Sequence, residues 1–364
     1  MSLSWVSVNA NTGDIITDLP ALLLGNADNK GTLRRTIGRH ESQTALLPLD
    51  GAPLNWRTAT RKKAVFLVAL DETQGVERGV PVWGGMVTGR EPDESSYLAL
   101  EMVTAEDYLN DRFVRDETFY TWPQNDIVEY LVLKYAATDG IPIRVVKRPG
   151  ANPVRGRTYL DAEDKTLYSV LEELSGVDEG PEWTIEWEWV DERRLGLVLH
   201  VGARIGSPAP AGLGPSSWFN LPGNVQKVRL TDSYKRGEGA NDVMAVSSGT
   251  ADARPQSAHW AQEGDGRPKI EFRWTPSTSI TEISTLSEHA RRASFAMAEG
   301  TLALSITATL LETEVFNLGD DVGFDLTAPA WPEGISGTAR AIGIEWTNTT
   351  VTPILDVTNI ERMY

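Results

Sequence analysis

The stretch that decides the fold is EWTIEWEWVDERRLGLVLHVGARIG, at residues 182–206. Large apolar side chains occupy the odd-numbered positions, namely Trp183, Ile185, Trp187 and Trp189. Polar side chains occupy the even-numbered positions, namely Glu182, Thr184, Glu186 and Glu188. Because side chains alternate between the two faces of a strand, this pattern predicts a strand with one aromatic face and one acidic, solvated face. A polar turn at 191–194 and alternating leucines from Leu195 onward then predict an antiparallel hairpin.

The three tryptophans Trp183, Trp187 and Trp189 are predicted to be structural core residues. Rings of this size need a substantial opposing core, and the helix-like segment 164–175 just upstream is the candidate to cover them. The alternative is an aromatic platform that stacks on sugars or on nucleic acid. The glutamates that alternate with the rings disfavour a polyanionic ligand.

Composition excludes several classes of protein. The chain has 364 residues, of which 34 are basic and 51 acidic, so its net charge is -17. This charge argues against a protein that grips nucleic acid or an anionic membrane, and it suits a surface that DNA passes without specific binding. The absence of cysteine excludes disulfides and thiolate metal sites. The N-terminus, MSLSWVSV, does not resemble a secretory signal, and no apolar run is long enough to predict membrane insertion, so we expect synthesis in a cytoplasm.

The chain is predicted to be α+β and predominantly β. Residues 1–103 contain five to seven predicted strands of a β-barrel-like domain, and 104–206 form an α+β segment that includes the tryptophan hairpin. The Pro/Gly-rich stretch 207–220 is a predicted linker. Residues 221–364 form a second β-barrel-like domain with one helix at 282–299. These boundaries are placed to within about ten residues, and either barrel can be built from discontinuous segments.

Four local predictions follow from periodicity and composition. Apolar residues recur at helical spacing in 124–138 and 166–175, which predicts two helices. Residues 147–157 combine proline, glycine and four cations, which predicts a loop. The last predicted strand covers 353–360.

No catalytic, cofactor-binding or metal site is predicted, so we expect no enzymatic activity. The histidines lack metal-ligand spacing, and each is interpreted as structural: His40, His200, His259 and His289. No nucleophile elbow and no phosphate-binding loop is present. The abundant carboxylates leave a glycosidase-like pair open as an alternative. Asp320 and Asp321 are interpreted as a hairpin turn, since further ligands of a calcium site do not accompany them.

A basic cluster stands out in this acidic chain: Arg34, Arg35 and Arg39. It has two interpretations, a solvated loop face or an ion-pairing surface that meets an acidic neighbour. The second makes these arginines candidate interface residues.

Several motifs resemble those of minor tail proteins of long-tailed bacteriophages, in particular the tail-hub (baseplate hub) family. They are Val82-Trp-Gly-Gly-Met-Val, Tyr108-Leu-Asn-Asp-Arg-Phe-Val, Gln124-Asn-Asp-Ile-Val, Gly180-Pro-Glu-Trp leading to Val201-Gly-Ala-Arg-Ile-Gly, and Leu318-Gly-Asp-Asp-Val. The resemblance covers about 80–350 and implies a homotrimeric ring at the virion tail tip. Each subunit would carry two tail-tube-like β-barrels, joined to the smaller α+β segment. The implied neighbours are a distal tail protein, a tape measure protein and other minor tail or receptor-binding proteins.

Two other functions stay open at this point. A carbohydrate-binding or glycoside-hydrolysing tail protein would expose its tryptophan row beside paired carboxylates. A distal-tail or adhesin subunit would contain one tube-like domain, whereas a hub would contain two.

Overall fold

The structure of the chain is a computed structural model. It describes residues 3–26, 28–72, 78–177, 179–247, 249, 254–261, 266–276, 283–310, 313 and 316–356. The chain divides into two compact units, Met1–Lys227 with Ile306–Tyr364, and Val228–Ser305. Strands take up 48% of the chain and helices 16%, which confirms a predominantly β, α+β fold.

The strands are, in chain order, β1 Ser4–Asn9, β2 Ile15–Leu19, β3 Leu23–Leu24, β4 Leu33–Thr36, β5 Ser42–Pro48, β6 Val65–Asp71, β7 Val80–Pro92, β8 Tyr97–Thr104, β9 Glu117–Pro123, β10 Ile143–Lys147, β11 Val154–Tyr159, β12 Glu182–Asp191, β13 Arg194–Gly202, β14 Trp218–Leu221, β15 Val225–Ser233, β16 Asp242–Ala245, β17 Trp260–Ala261, β18 Glu271–Trp274, β19 Thr301–Thr309, β20 Asp321–Ala328, β21 Trp331–Trp346 and β22 Thr350–Asp356. The α-helices are α1 Trp56–Ala59, α2 Gln124–Leu131, α3 Leu167–Ser175 and α4 Ile283–Met297. A π-helical turn at Val132–Ala137 extends α2, and short 3-10 helices occupy Ala105–Asp111 and Asp161–Glu163.

The first large sheet is antiparallel and has seven strands, in the order β2-β1-β6-β7-β8-β5-β3. Its inner strand β6 reads VFLVALD, and every residue of it is buried, as its continuous apolar run predicts. The described strands run open from β2 to β3, so the sheet does not close into the predicted barrel.

The tryptophan hairpin forms as predicted. Strands β12 and β13 pair antiparallel, with Trp187 opposite Leu197, and β10 joins β13 in parallel. One apolar core runs from the first sheet, at Val8 and Phe66, through this hairpin and the two helices α2 and α3. Helix α3 begins at Leu167, one residue after the predicted start, and the hydroxyl of its N-cap Thr166 accepts a hydrogen bond from the Ser169 amide at 3.2 Å.

The predicted loop at 147–157 is partly wrong, because β11 begins within it at Val154. Strand β11 pairs antiparallel with β9 in a two-stranded ribbon. Two buried rings hold this ribbon to the core, Phe119 from β9 and Tyr159 from β11. Glycine, proline and arginine dominate the local composition and conceal the strand, since only distant packing partners select it.

The second large sheet has the order β14-β20-β21-β22-β19-β15, and β4 pairs antiparallel with β21. The N-terminal segment therefore contributes a strand to a sheet whose other members lie beyond residue 217. This sheet also runs open among the described residues. The division into domains at 103, 206 and 220 stays a prediction.

The second compact unit contains a three-stranded sheet, β17-β16-β18, and helix α4. Leu286 and Ala290 of α4 pack against Ala245 of β16. The predicted helix 282–299 corresponds to α4, although residue 282 lies outside the described residues. The predicted strand 353–360 overlaps β22, and its residues from 357 onward also lie outside them. No helix in the described part of the chain is both long and apolar enough to cross a bilayer.

Candidate functional site

Strand β12 is an edge strand, and the edge that faces away from β13 is covered by side chains and a turn rather than by another strand. Arg35 donates to the carbonyl of Ile185 at 3.0 Å, and the amide of Ile185 donates to Glu106 at 3.2 Å. The amide of Gly38 donates to the carbonyl of Trp183 at 2.8 Å. These contacts satisfy backbone N–H and C=O groups of β12 that would otherwise be free to pair with a strand of another chain. Burial raises the pKa of the Glu106 carboxyl, against the lowering effect of Arg35.

The acidic face of β12 is predicted to be solvated, and this prediction is wrong at Thr184 and Glu186, although 44% of the Glu188 side chain is exposed. Thr184 is fully buried, and Glu186 lies between His200, at 3.2 Å from its Nε2, and Arg35, at 3.6 Å from its Nη2. Burial raises the pKa of Glu186, but His200, Arg35 and Arg148 outweigh burial and lower the pKa to about 2. Glu186 is therefore an internal ion-pair residue, because cations from distant parts of the chain cover this face.

The three arginines of the basic cluster take different positions. Only 14% of the Arg35 side chain is exposed, since it is used against β12. Arg34 is more exposed and lies 3.4 Å from Glu41 and 3.7 Å from Glu345. Arg39 is exposed and forms no ion pair with a described residue. A role at an interface stays a prediction for Arg34 and Arg39.

Each of the three tryptophans of the hairpin meets a different neighbour. Trp183 is 1% exposed and packs edge-to-face on Tyr168 of α3, with ring centroids 5.8 Å apart. Trp187 and Trp189 are half-buried and lie against the first sheet instead of the predicted helix. Trp187 packs on Phe66 at 5.0 Å, and the indole N–H of Trp189 donates to the Gly79 carbonyl at 3.0 Å.

Two motifs that carry the resemblance to tail proteins meet in space. Gly206 and Gly319 both have left-handed backbones, and a Cβ on Gly206 would lie 2.0 Å from the carbonyl carbon of Gly319. Only glycine fits such a close approach of two backbones. Arg204 of the first motif pairs with Asp321 of the second. The amide of Ser207 donates to the Asp320 carboxylate at 2.7 Å.

A second ion pair reinforces this junction. The guanidinium of Arg340 in β21 donates to both carboxylate oxygens of Glu182 in β12, and to the carbonyl of Ile205 at 2.8 Å. The bidentate geometry fixes the orientation of one strand against the other. Sequence reasoning did not identify Arg340, because its partner lies 158 residues earlier. The hairpin-turn interpretation of Asp320 and Asp321 is wrong, because the preceding strand β19 does not pair with β20. Their carboxylates instead accept hydrogen bonds from the distant Ser207 and Arg204.

A cavity of about 570 Å³ lies beside the tryptophan hairpin. Its volume falls in the range of small-ligand pockets, roughly 300–1,000 Å³. The cations at its rim are both paired, Arg144 with Glu188 at 2.7 Å and Arg194 with Asp191 at 2.6 Å. Its apolar lining includes Ala10, Phe66, Ile143, Trp187, Trp189 and Leu195.

One group of metal-ligand type occurs among the described residues, formed by Asp242, His259 and Glu271. The ammonium of Lys269 lies 2.6 Å from Asp242 and 2.9 Å from Glu271. Burial raises the pKa of Asp242, but Lys269 and His259 outweigh burial and lower it. The chain thus supplies its own cation to this cluster, which suits an ion-pair network better than a metal site.

Comparison of the whole fold with solved structures returns phage tail proteins. A tail protein from Neisseria meningitidis aligns with 98% of this chain and 97% of its own, at a TM-score of 0.60 and 12% identity. The 43 kDa tail protein of prophage MuSo2 from Shewanella oneidensis aligns with 97% of this chain and 98% of its own, also at 0.60 and 12%. The chain has the fold of phage tail proteins. The prophage tail protein gp18 from Listeria monocytogenes shares this tail-protein fold over 99% of this chain and 96% of its own, at a TM-score of 0.50 and 10% identity.

Sequence comparison alone does not reveal the tail-protein fold. No family model matches the chain, and no curated protein matches its sequence. The resemblance predicted from the motifs is confirmed at the level of the fold. At 12% identity, the likeness to these two structures is one of fold.

Proposed function

We propose that this chain is a structural subunit of a phage tail tip, a hub of which three copies form a ring that continues the tail tube around the DNA channel. The observation that carries the proposal is the likeness to phage tail proteins over nearly the full length of both chains. A likeness that covers only one domain would leave the role of the rest open.

The number of large sheets favours a hub over a distal-tail ring. The described residues form two seven-stranded sheets. Three chains would bring six such sheets around one axis, which matches the sixfold symmetry of a tail tube. The net charge of -17 suits a wall that DNA passes without sticking, because like charges repel.

The carbohydrate-binding alternative loses its main support. It requires an exposed row of tryptophans, whereas Trp183 is buried and the indole N–H of Trp189 is used by the Gly79 carbonyl. Of the three tryptophans of the hairpin, only Trp187 and Trp189 line the cavity beside it. The described hairpin therefore does not offer a row of three stacking platforms.

Light scattering of the purified protein tests the proposal. We expect a mass of three times 39.9 kDa at micromolar concentration, in low and in moderate salt. Obligate assemblies bury several thousand Å², so their mass should change little over this range of salt. A mass of one chain at all concentrations would contradict the ring.

A further inference from the structure

The cavity of about 570 Å³ beside the tryptophan hairpin lies at a gap in the pairing of strand β13. Strand β10 first pairs with β13 where Ile143 meets Leu197. The β1–β2 turn meets β13 at Leu195, whose amide donates to the Gly13 carbonyl at 3.0 Å. Between these two contacts, Gly196 pairs with β12 but with no strand on its other side among the described residues. All five residues line the cavity, which therefore occupies this gap.

Three aromatic rings form part of the cavity wall. Phe66 of the first sheet packs edge-to-face on Trp187, with ring centroids 5.0 Å apart, and Trp189 lines the cavity from the same strand as Trp187. A further ring packs favourably against such a wall, because aromatic pairs gain more than the burial of their area alone. Val190 lies at the rim and is 60% exposed, so the cavity reaches the protein surface.

The polar side chains around the cavity are already used by the chain itself. The amide oxygen of the Asn9 side chain accepts hydrogen bonds from the backbone amides of Asn11 and Thr12, at 2.9 and 3.3 Å. The Thr12 hydroxyl donates to the Asp14 carboxylate at 2.7 Å. The two guanidinium groups at the rim are paired with carboxylates. A charged or hydroxyl-rich ligand would lose water here without gaining partners, so the lining selects an uncharged, apolar one.

The π-helical turn that extends α2 ends at this cavity. Val132–Ala137 has this rare conformation, and its last residue lines the cavity. The chain that follows the turn lines the cavity again at Ile141 and Pro142. Because π-helical turns occur frequently at functional sites, this turn is a second observation, independent of the lining, that marks the cavity as a binding site.

We propose that this cavity binds a small, uncharged aromatic molecule between the tryptophan hairpin and the first sheet. Apolar cavities in proteins take up such molecules, because no water is held there by polar partners. The ligand would contact the β1–β2 turn, β6, the π-helical turn and the hairpin at once, so binding should stabilise the packing of these segments. All lining residues belong to one compact unit, so the inference does not depend on the proposed ring of subunits.

Titration with N-phenyl-1-naphthylamine tests the site, since this uncharged aromatic dye fluoresces more strongly in apolar surroundings. We expect saturable binding of one dye molecule per chain, and a thermal midpoint that rises with the dye concentration. 1-Naphthoate should bind at least about tenfold more weakly, because its carboxylate would be buried without a partner. Maltotriose should not displace the dye, since its hydroxyl groups would find no free hydrogen-bond partners in the lining.

Two filling variants locate the bound dye. Ala137→Trp places an indole in the cavity and should lower the affinity for the dye at least about tenfold, because two rings would compete for one space. Val190→Trp fills the cavity from its exposed rim, where the fold tolerates a larger side chain, and should also weaken binding. The matched control Ala296→Trp makes the same substitution at an exposed alanine of α4 and should leave the affinity unchanged.

Circular dichroism confirms that each variant is folded, and Val190→Trp decides the matter if Ala137→Trp does not fold. Absence of saturable binding to the wild-type protein would overturn the site. Binding that the folded filling variants do not weaken would place the dye elsewhere and overturn it as well. Equal affinities for the dye and for 1-naphthoate would overturn the selection of an uncharged ligand.

Discussion

The contact between Gly84 and Trp187 allows a sharp test of how the tryptophan hairpin packs on the first sheet. A Cβ on Gly84 would lie 2.2 Å from Nε1 of Trp187 and 2.6 Å from its Cε2, whereas ordinary contacts begin at 3.4 Å. The φ of Gly84 lies outside the left-handed region, so Gly84→Ala adds only a steric clash. The indole would have to move by more than about 1 Å, and Phe66 packs against the same ring.

Overpacking of this kind costs about 1–3 kcal/mol of unfolding free energy. We expect that loss for Gly84→Ala in urea titrations followed by circular dichroism. The matched control is Gly176→Ala, which adds the same methyl group at a φ of -74° with its nearest neighbour 3.2 Å away. Its effect should stay within about 1 kcal/mol, because alanine adopts this backbone readily.

A double-mutant cycle separates the clash from other effects. Trp187→Leu removes the indole, so the methyl group of Gly84→Ala should then cost at least about 1 kcal/mol less than it does alone. Additive effects of the two substitutions would refute the contact. A Gly84→Ala protein as stable as the wild type would refute it directly.

Three further predictions concern the core and the ion pairs. Trp183→Ala should lower the unfolding free energy by about 3–5 kcal/mol, measured by urea titration, since it empties a fully buried site. Glu186 has a pKa of about 2 in the fold against an ordinary 4.5, so its stabilisation is complete above pH 4.5 and is lost as the pH falls toward 2. The stability difference between wild type and Glu186→Gln should therefore shrink over that range, from at most about 3 kcal/mol; a constant difference would contradict the ion pair. Arg340→Met should cost about 1–3 kcal/mol by leaving Glu182 unpaired, and the double variant Glu182→Gln/Arg340→Met should be the more stable of the two in thermal denaturation.

The elements that the sequence predicts correctly are those specified by local pattern. The alternation of apolar and polar residues in 182–201 defines the β12–β13 hairpin, because a shift of the strand register by one residue would turn every aromatic ring to the opposite face. The apolar run of β6 predicts a strand buried on both faces in the same way. Helix α3 is marked by Thr166 at its start and by apolar residues at helical spacing.

The local sequence pattern does not reveal contacts between residues that are distant in the chain. Arg35 approaches Glu186 across about 150 residues, and this approach turns a face that looks solvated into an internal one. Strand β4 joins β21 across the length of the chain, so the second sheet takes one strand from the N-terminal segment, where the arginines also allowed the interpretation of a solvated loop face. Strand β11 escapes prediction because its arginines and glycine contribute little strand propensity, while the buried Tyr159 fixes it in place.

The motifs that resemble tail proteins gain a physical meaning in the fold. Gly206 and Gly319 belong to two separate motifs, yet each allows the backbone of the other to approach. Gln124 of a third motif donates to the carbonyl of Glu179, beside the Gly180 motif, at 2.8 Å. These motif residues therefore lie at junctions between distant segments of the chain, which explains why they indicate the fold.

Electron microscopy of the purified, assembled protein tests the central proposal most directly. We expect rings of three chains around an open channel, with carboxylates on the channel wall. A single chain, a twofold dimer or a channel lined with arginines would contradict the hub.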